Sequence, residues 1–246
     1  MSPSPWPLWI AHRGAGKLAP ENTLAAFRLG AQHGYAAFEC DVKLSADGVP
    51  FLLHDATLDR TTNGRGIAGD RPWVELSRLD AGSWHGRAYA GEPLPTLDAV
   101  ATFCRSNGQA LNIEIKPTPG HERLTGEVVA REAHRLWRGG TPPPLLSSFK
   151  PEALEGARDG APNLPRALLI DSAAPGWFER AQSLGCVAVV ADYGMCSQEM
   201  VERLHGAGMW AMCYTVNDES PARWLLGLGL DALITDAVDR FAPHAA

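Results

Sequence analysis

The feature that most constrains the fold is an alternation: short β-prone apolar runs follow one another along the chain, each separated from the next by a stretch of helical periodicity. The β-prone runs span residues 8–12, 36–42, 110–116, 145–149, 166–170, 186–191, 209–215 and 231–235. Helical patterns fall at 22–33, 96–106, 125–137, 151–158, 177–184, 197–205 and 221–228, with a frayed turn near 237–241. A strand whose crossover helix returns the chain parallel to it is how such an alternation packs. Eight such units in 246 residues predict an α/β protein of the (β/α)8 TIM-barrel type, whose usual size is about 250 residues. Glycines punctuate the pattern where helices should stop in a left-handed residue: Gly34, Gly108, Gly160, Gly185, and Gly206 or Gly208. An open doubly wound sheet is the competing architecture, and it fits less well because no GxGxxG follows the first strand.

One stretch breaks the rhythm. Residues 49–54 read as a strand, yet they follow the second strand too closely for a parallel crossover and must turn back antiparallel. Asp47-Gly48 predicts a two-residue type I′ turn, pairing Ala46 with Val49, Leu44 with Phe51 and Asp41 with His54. From there to Pro95 the chain is rich in Gly, Thr and Trp without clear period. Residues 44–95 are therefore expected to be a small insertion after strand two, capping the mouth of a single barrel domain that spans 1–246.

Composition narrows the function. The formal charge of −6 comes without any Lys/Arg block, so nucleic acid is not an expected partner. Five cysteines, Cys40, Cys104, Cys186, Cys196 and Cys213, are an odd number without CxxC spacing, which predicts reduced buried thiols in a cytoplasmic protein. Residues 1–10 have no basic n-region, and Pro5 and Pro7 interrupt their short apolar stretch, so neither a signal peptide nor stable membrane association is expected.

Barrels of this kind place function where strands end. Glu39 and Asp41 leave the same face of strand two, and Glu114 and Lys116 do likewise on strand three. Three carboxylates in one dry pocket repel unless a cation or solvent compensates them. Mg²⁺ or Ca²⁺ suits that need, since both prefer oxygen ligands and no thiolate or histidine-dominated set is present. The alternative use of Glu39 and Glu114 is ion pairing with Arg13 and Lys116. Those two cations beside a metal would also grip an anion, and Arg's planar fork suits phosphate. His12 ends strand one, and the hairpin register brings His54 alongside Asp41. The two form an acid/base pair able to relay protons near neutral pH. The remaining histidines, His33, His85, His121, His134, His205 and His244, are assigned no role. Metal, anion clamp and two proton carriers together specify metal-assisted cleavage of a phosphate ester.

The motifs Ala11-His12-Arg13-Gly14, Pro20-Glu21-Asn22-Thr23, Glu39-Cys40-Asp41-Val42, Asp47-Gly48 and His54-Asp55 resemble those of the glycerophosphodiester phosphodiesterases. So do Arg60-Thr61-Thr62-Asn63-Gly64, Leu94-Pro95-Thr96-Leu97, Glu114-Ile115-Lys116-Pro117, Ser147-Ser148-Phe149 and Tyr214-Thr215-Val216-Asn217, and the chain is most similar to the cytosolic bacterial branch. The resemblance implies a TIM barrel with a small insertion that hydrolyses glycerophosphodiesters, such as glycerophosphocholine and glycerophosphoethanolamine, to sn-glycerol 3-phosphate and an alcohol. It implies Glu39, Asp41 and Glu114 as metal ligands, His12 and His54 as acid and base, and Arg13 and Lys116 as phosphate contacts. Phe149 and Tyr214 are expected to wall the glycerol pocket, and Asn22 to be a helix N-cap or a substrate contact. The family often has Thr-Asn followed by proline where this chain reads Thr235-Asp236-Ala237. Two other functions compete. A lysophospholipase D-like hydrolase would need exposed apolar surface from Trp73 and Trp84, and a noncatalytic phosphodiester-binding protein would have the pocket without turnover.

Overall fold

Eight parallel strands close on themselves. A computed structural model describes residues 6–140, 142–172, 174–241 and 243; residues 1–5 and His244, which the sequence reading touched, lie outside the described residues. In chain order the elements are β1 (Trp9–Ala11), α1 (Leu24–Gln32), β2 (Ala37–Leu44), β3 (Pro50–Leu52), α2 (Trp73–Leu76), α3 (Leu97–Ser106), β4 (Ala110–Ile115) and α4 (Glu122–Leu136). They continue with β5 (Leu145–Ser148), α5 (Pro151–Gly160), β6 (Arg166–Ile170), α6 (Trp177–Ser183), β7 (Ala188–Asp192), α7 (Gln198–Gly206), β8 (Trp210–Tyr214), α8 (Glu219–Leu228) and β9 (Ala232–Thr235). The sheet runs β1-β9-β8-β7-β6-β5-β4-β2, and the β1–β2 pairing closes the barrel. Every strand and crossover helix expected from the sequence is present within a few residues. The frayed helix near 237–241 is instead a turn, in which the Phe241 N–H reaches the Ala237 carbonyl at 3.3 Å.

Local chemistry explains the boundaries. Thr23, Thr96 and Ser197 cap α1, α3 and α7, each hydroxyl accepting from a backbone N–H in the first turn. Gly34, Gly108, Gly185 and Gly208 adopt the left-handed conformation that stops the preceding helix. Gly160 does not. It serves close approach instead, since a Cβ there would stand 2.4 Å from the Glu127 carbonyl oxygen of α4.

Two apolar layers hold the barrel. One lies between strands and helices, with Phe27, Phe38, Leu111 and Val189 among its buried members; the other fills the interior, with Ile10, Ala37, Ala110, Leu145, Leu169, Val190 and Ile234. On β2 and β4 this interior row changes character upward. Ala37 and Ala110 are small and apolar, and the next inward positions are Glu39 beside Asn112 and then Asp41 beside Glu114. The period of two thus carries acidic groups to the mouth on the same face that packs the base.

β2 outlasts β1, and β3 pairs antiparallel with its far end, through Val42↔Leu52, Lys43↔Phe51 and Leu44↔Pro50. This register is one residue out from the expected one. A type I′ turn needs positive φ at both Asp47 and Gly48, and only Gly48 has it, at 80°. Asp47 is held otherwise, its carboxylate accepting from the Ser45 hydroxyl at 2.6 Å and the Trp73 N–H at 2.8 Å. The result is a three-residue loop ending in a left-handed glycine, closed by the Ser45 N–H on the Val49 carbonyl at 3.1 Å. Leu53, not His54, therefore stands opposite Asp41, donating its N–H to the Asp41 carbonyl at 3.1 Å. The segment that follows gathers its own apolar cluster from Phe51, Leu53, Leu58, Ala68, Leu76, Ala81 and Leu94, and Trp73 packs on Phe51 at 6.0 Å. All five cysteines are free and buried. Among the described residues no helix is long and apolar enough to cross a membrane.

Candidate active site

At the carboxyl ends of the strands, the residues singled out in the sequence converge on one cavity of about 170 Å³. His12, Arg13, Glu39, His54, Glu114, Lys116, Phe149 and Tyr214 line it, and Asp41 lies buried at its wall. Glu39, Asp41 and Glu114 each bring a carboxylate oxygen within 4.8 Å of the others'. All three side chains are buried, yet Glu39 Oε1, Asp41 Oδ1 and Glu114 Oε1 accept no hydrogen bond. Ion pairing alone does not account for them. Lys116 Nζ stands 2.9 Å from Glu114 Oε1 and 3.7 Å from Asp41 Oδ1, near enough to attract but not aligned as a hydrogen bond. Three converging buried carboxylate oxygens that no hydrogen bond satisfies fit a hard divalent cation.

The electrostatics agree. Burial, with Asp41 and Glu114 adding repulsion, pushes Glu39 well above the ordinary carboxyl range. Burial and Asp41 also lift Glu114 to about 7 despite Lys116. Burial opposes ionisation of Asp41 too, but Arg13, Lys116 and the two histidines outweigh it and bring Asp41 down to about 2. The middle acid keeps its charge and the outer two are disposed to hold protons.

Asp41 is held from behind by Asn22. The Asn22 Nδ2 donates to Asp41 Oδ2 at 2.8 Å, and the Asp41 N–H donates to Asn22 Oδ1 at 3.0 Å. Asn22 is thus neither the cap of α1, which is Thr23, nor part of the cavity lining. It sits at φ 59°, a left-handed conformation asparagine tolerates, and Arg13 at 51°, where a long side chain is uncommon; the pair is locked by the Asn22 N–H on the Arg13 carbonyl at 3.0 Å. Arg13 donates its backbone N–H to Glu39 Oε2 at 3.1 Å and Nη1 to Glu21 at 2.9 Å, with Nε 3.1 Å from Asp41 Oδ2.

Each histidine leans on a carboxylate. His12 Nδ1 is 2.6 Å from Asp236 Oδ1, and Nε2 is 3.7 Å from Glu39 Oε2. Asn217 fixes Asp236 through its side-chain amide at 3.0 Å and by accepting the Asp236 N–H at 2.8 Å. Burial would raise the Asp236 carboxyl, but the bonds from His12 and Asn217 hold it below its usual range. His54 Nδ1 is 2.7 Å from Asp55 Oδ1. Arg60 grips Asp55 with two bonds, of 2.7 and 3.0 Å, and Glu21 with two of 2.8 Å. The Arg60 bonds, foremost, keep Asp55 far below the usual carboxylate range, while burial lowers His54. In both pairs a carboxylate beside Nδ1 selects the tautomer with its proton there and frees Nε2 for proton transfer. Asp55, Asp236, Asn217, Arg60 and Glu21 all fall in stretches the sequence marked, but without an assigned role; their partnership with the histidines is set by where the strands end.

Phe149 and Tyr214 meet edge to face at 5.8 Å across the cavity wall, and Lys116 Nζ lies 5.8 Å above the Phe149 ring. The Tyr214 hydroxyl is spent on the Ile170 carbonyl at 3.2 Å. Lys43 continues the inward row of β2, donating to the Lys116 carbonyl at 3.3 Å, and burial followed by the nearby Lys116 charge brings it down to about 8. The sequence reading passed over it.

The model of the glycerophosphoryl diester phosphodiesterase family matches residues 12–240. A glycerophosphodiester phosphodiesterase of Caldanaerobacter subterraneus is 33% identical over 93% of both chains. Among solved structures, a phosphodiesterase of Oleispira antarctica in complex with the product sn-glycerol-3-phosphate superposes with a TM-score of 0.90 at 37% identity, covering 95% of this chain and 94% of that one. The glycerophosphodiester phosphodiesterase of Agrobacterium tumefaciens gives 0.82 at 30% identity, over 96% and 99%. Since these matches run the length of the barrel and take in both ends of the acidic cluster, the chain is an enzyme of the glycerophosphoryl diester phosphodiesterase family.

Proposed function

We propose that the protein hydrolyses glycerophosphodiesters, glycerophosphocholine and glycerophosphoethanolamine among them, to sn-glycerol 3-phosphate and the free alcohol. The observation that carries this reading is one cavity in which three buried carboxylates with orphan oxygens meet two cations and two carboxylate-anchored histidines. Glu39, Asp41 and Glu114 would hold one Mg²⁺ or Ca²⁺. When bound, such an ion supplies Lewis-acid charge to a phosphoryl oxygen. Arg13 and Lys116 bind the remaining phosphate charge, and Phe149 and Tyr214 wall the glycerol moiety. One histidine takes the proton from the attacking oxygen at Nε2, and the other returns one to the leaving alkoxide. The attacking oxygen is the glycerol 2-hydroxyl, giving a cyclic phosphate that water then opens, or it is water itself. A 2-deoxy analogue separates them: internal attack requires its turnover to collapse, and an undiminished rate assigns the step to water.

Residues 1–246 are read as one barrel domain with 44–95 as its insertion, and the free thiols favour a reducing compartment such as the cytoplasm. Release of glycerol 3-phosphate with added dication, abolished by EDTA, is the expected result. Binding of the diester without any release would overturn the proposal in favour of a noncatalytic binder. The lysophospholipase reading loses one of its two supports, because Trp73 is packed on Phe51 within the insertion.

A further inference from the structure

A second cavity, of about 370 Å³, adjoins the first and shares His12 and Arg13 with it. Its outer walls are Lys17, on the loop after β1, and Trp84 and His85 from the segment between β3 and α3. The two walls are latched together: His85 Nε2 lies 3.0 Å from the Lys17 carbonyl, and the Tyr89 hydroxyl donates to the Leu18 carbonyl at 3.4 Å. A phosphodiester has two arms. If the glycerol arm lies against the wall formed by Phe149 and Tyr214, the other arm leaves phosphorus past His12 and Arg13 into this second cavity.

The chemistry of its walls is specific. Both carboxylates there are already engaged, Glu21 by Arg60 and Arg13, and Asp236 by His12. Among the described residues no acid pairs with the exposed Lys17 ammonium, so the charge left uncompensated is positive. A carbonyl only accepts, so His85 must carry its proton on Nε2, which leaves Nδ1 an acceptor. Trp84 is 40% exposed, with its Nε1–H spent on the Ala81 carbonyl at 2.8 Å, so what it offers a ligand is an apolar ring face. A donor, an acceptor and a flat apolar face suit an alcohol bearing several hydroxyls. A quaternary ammonium has no proton for His85 and is repelled by Lys17; one aromatic face at an exposed site is a weak counterweight.

We propose that this second cavity is the leaving-alcohol subsite and that Lys17, Trp84 and His85 select an uncharged polyol over a quaternary ammonium alcohol. This rests on the phosphodiesterase reading above and ranks its substrates. The test compares kcat/KM for glycerophosphoglycerol and glycerophosphocholine in the wild type, Lys17→Glu and His85→Phe, following glycerol 3-phosphate release. The wild type is expected to favour the polyol diester, and Lys17→Glu to move the ratio toward the choline diester about tenfold, less at high salt. His85→Phe should lower kcat/KM for the polyol diester by more than for the choline diester, whereas a purely structural loss would lower both alike. Turnover of both substrates with ratios unchanged within twofold in both variants overturns the subsite. No release from either substrate by the wild type would overturn the phosphodiesterase reading instead.

Discussion

Glu114→Gln isolates the electrostatic cost of the acidic cluster. Lifting Glu114 from 4.5 to about 7 makes its ionised form cost the fold about 3 kcal/mol. The folded-state value lies above the unfolded one, so the native protein binds the extra proton, and stability falls as pH rises through the interval from 4.5 to about 7. Glu39, also raised, acts in the same direction. Glutamine in place of Glu114 has no charge to acquire. In EDTA the stability difference between wild type and variant should therefore drift by about 2.5 kcal/mol in the variant's favour between pH 5 and pH 8, some 5–10 °C in Tm for a chain of this size. The attraction of Lys116, 2.9 Å from Glu114 Oε1, is already contained in that net shift. The slope is the informative quantity. A dication at a hundred times its Kd should restore about 3 kcal/mol to the wild type at pH 8, and much less to the variant. Thermal unfolding at several pH values, with EDTA or with excess Mg²⁺ or Ca²⁺, reads both effects. Parallel curves in EDTA, or equal stabilisation of both proteins by metal, would refute the reasoning.

Other predictions follow from the same contacts. His12→Ala and His54→Ala should each lower kcat by about 10²–10⁴-fold, measured as glycerol 3-phosphate release, and a rate within a few-fold of wild type removes that histidine from the chemistry. Asn22→Ala strips the buried Asp41 of two bonds. It should cost about 2–3 kcal/mol in urea unfolding; a midpoint unchanged from wild type would mean that the clamp contributes nothing. Metal binding should release protons near pH 7, since Glu114 is partly protonated there, and affinity should rise with pH. Calorimetry in buffers of different ionisation enthalpy reads the proton count, and zero release contradicts the assigned protonation.

The barrel and most of the cavity were legible because both depend on local period. Alternation marked the strands, and the same period of two put Glu39 with Asp41 and Glu114 with Lys116 on inward faces. The hairpin register was not legible from the Asp-Gly dipeptide alone. Asp47 is committed to Ser45 and Trp73, and a tertiary contact overrode the local turn preference by one residue. His54 reaches the cavity although the pairing that pointed to it is wrong, because it lies beyond the end of β3, where strand alternation no longer governs its side chain. The clamp of Asn22 on Asp41 was hidden for a related reason. An Asn beside a helix start reads as a cap, and only the left-handed turn at Arg13 and Asn22 swings it onto β2. Asp236 holds His12, a role set by where β9 ends beside β1, which sequence spacing does not encode.

The most direct measurement of the account is an anomalous difference map from crystals of the wild-type protein grown with Mn²⁺. The account predicts one strong peak within coordination distance, about 2.0–2.6 Å, of Glu39, Asp41 and Glu114 oxygens. A map with no peak there, and the three acids satisfied by Arg13 and Lys116 alone, would contradict it.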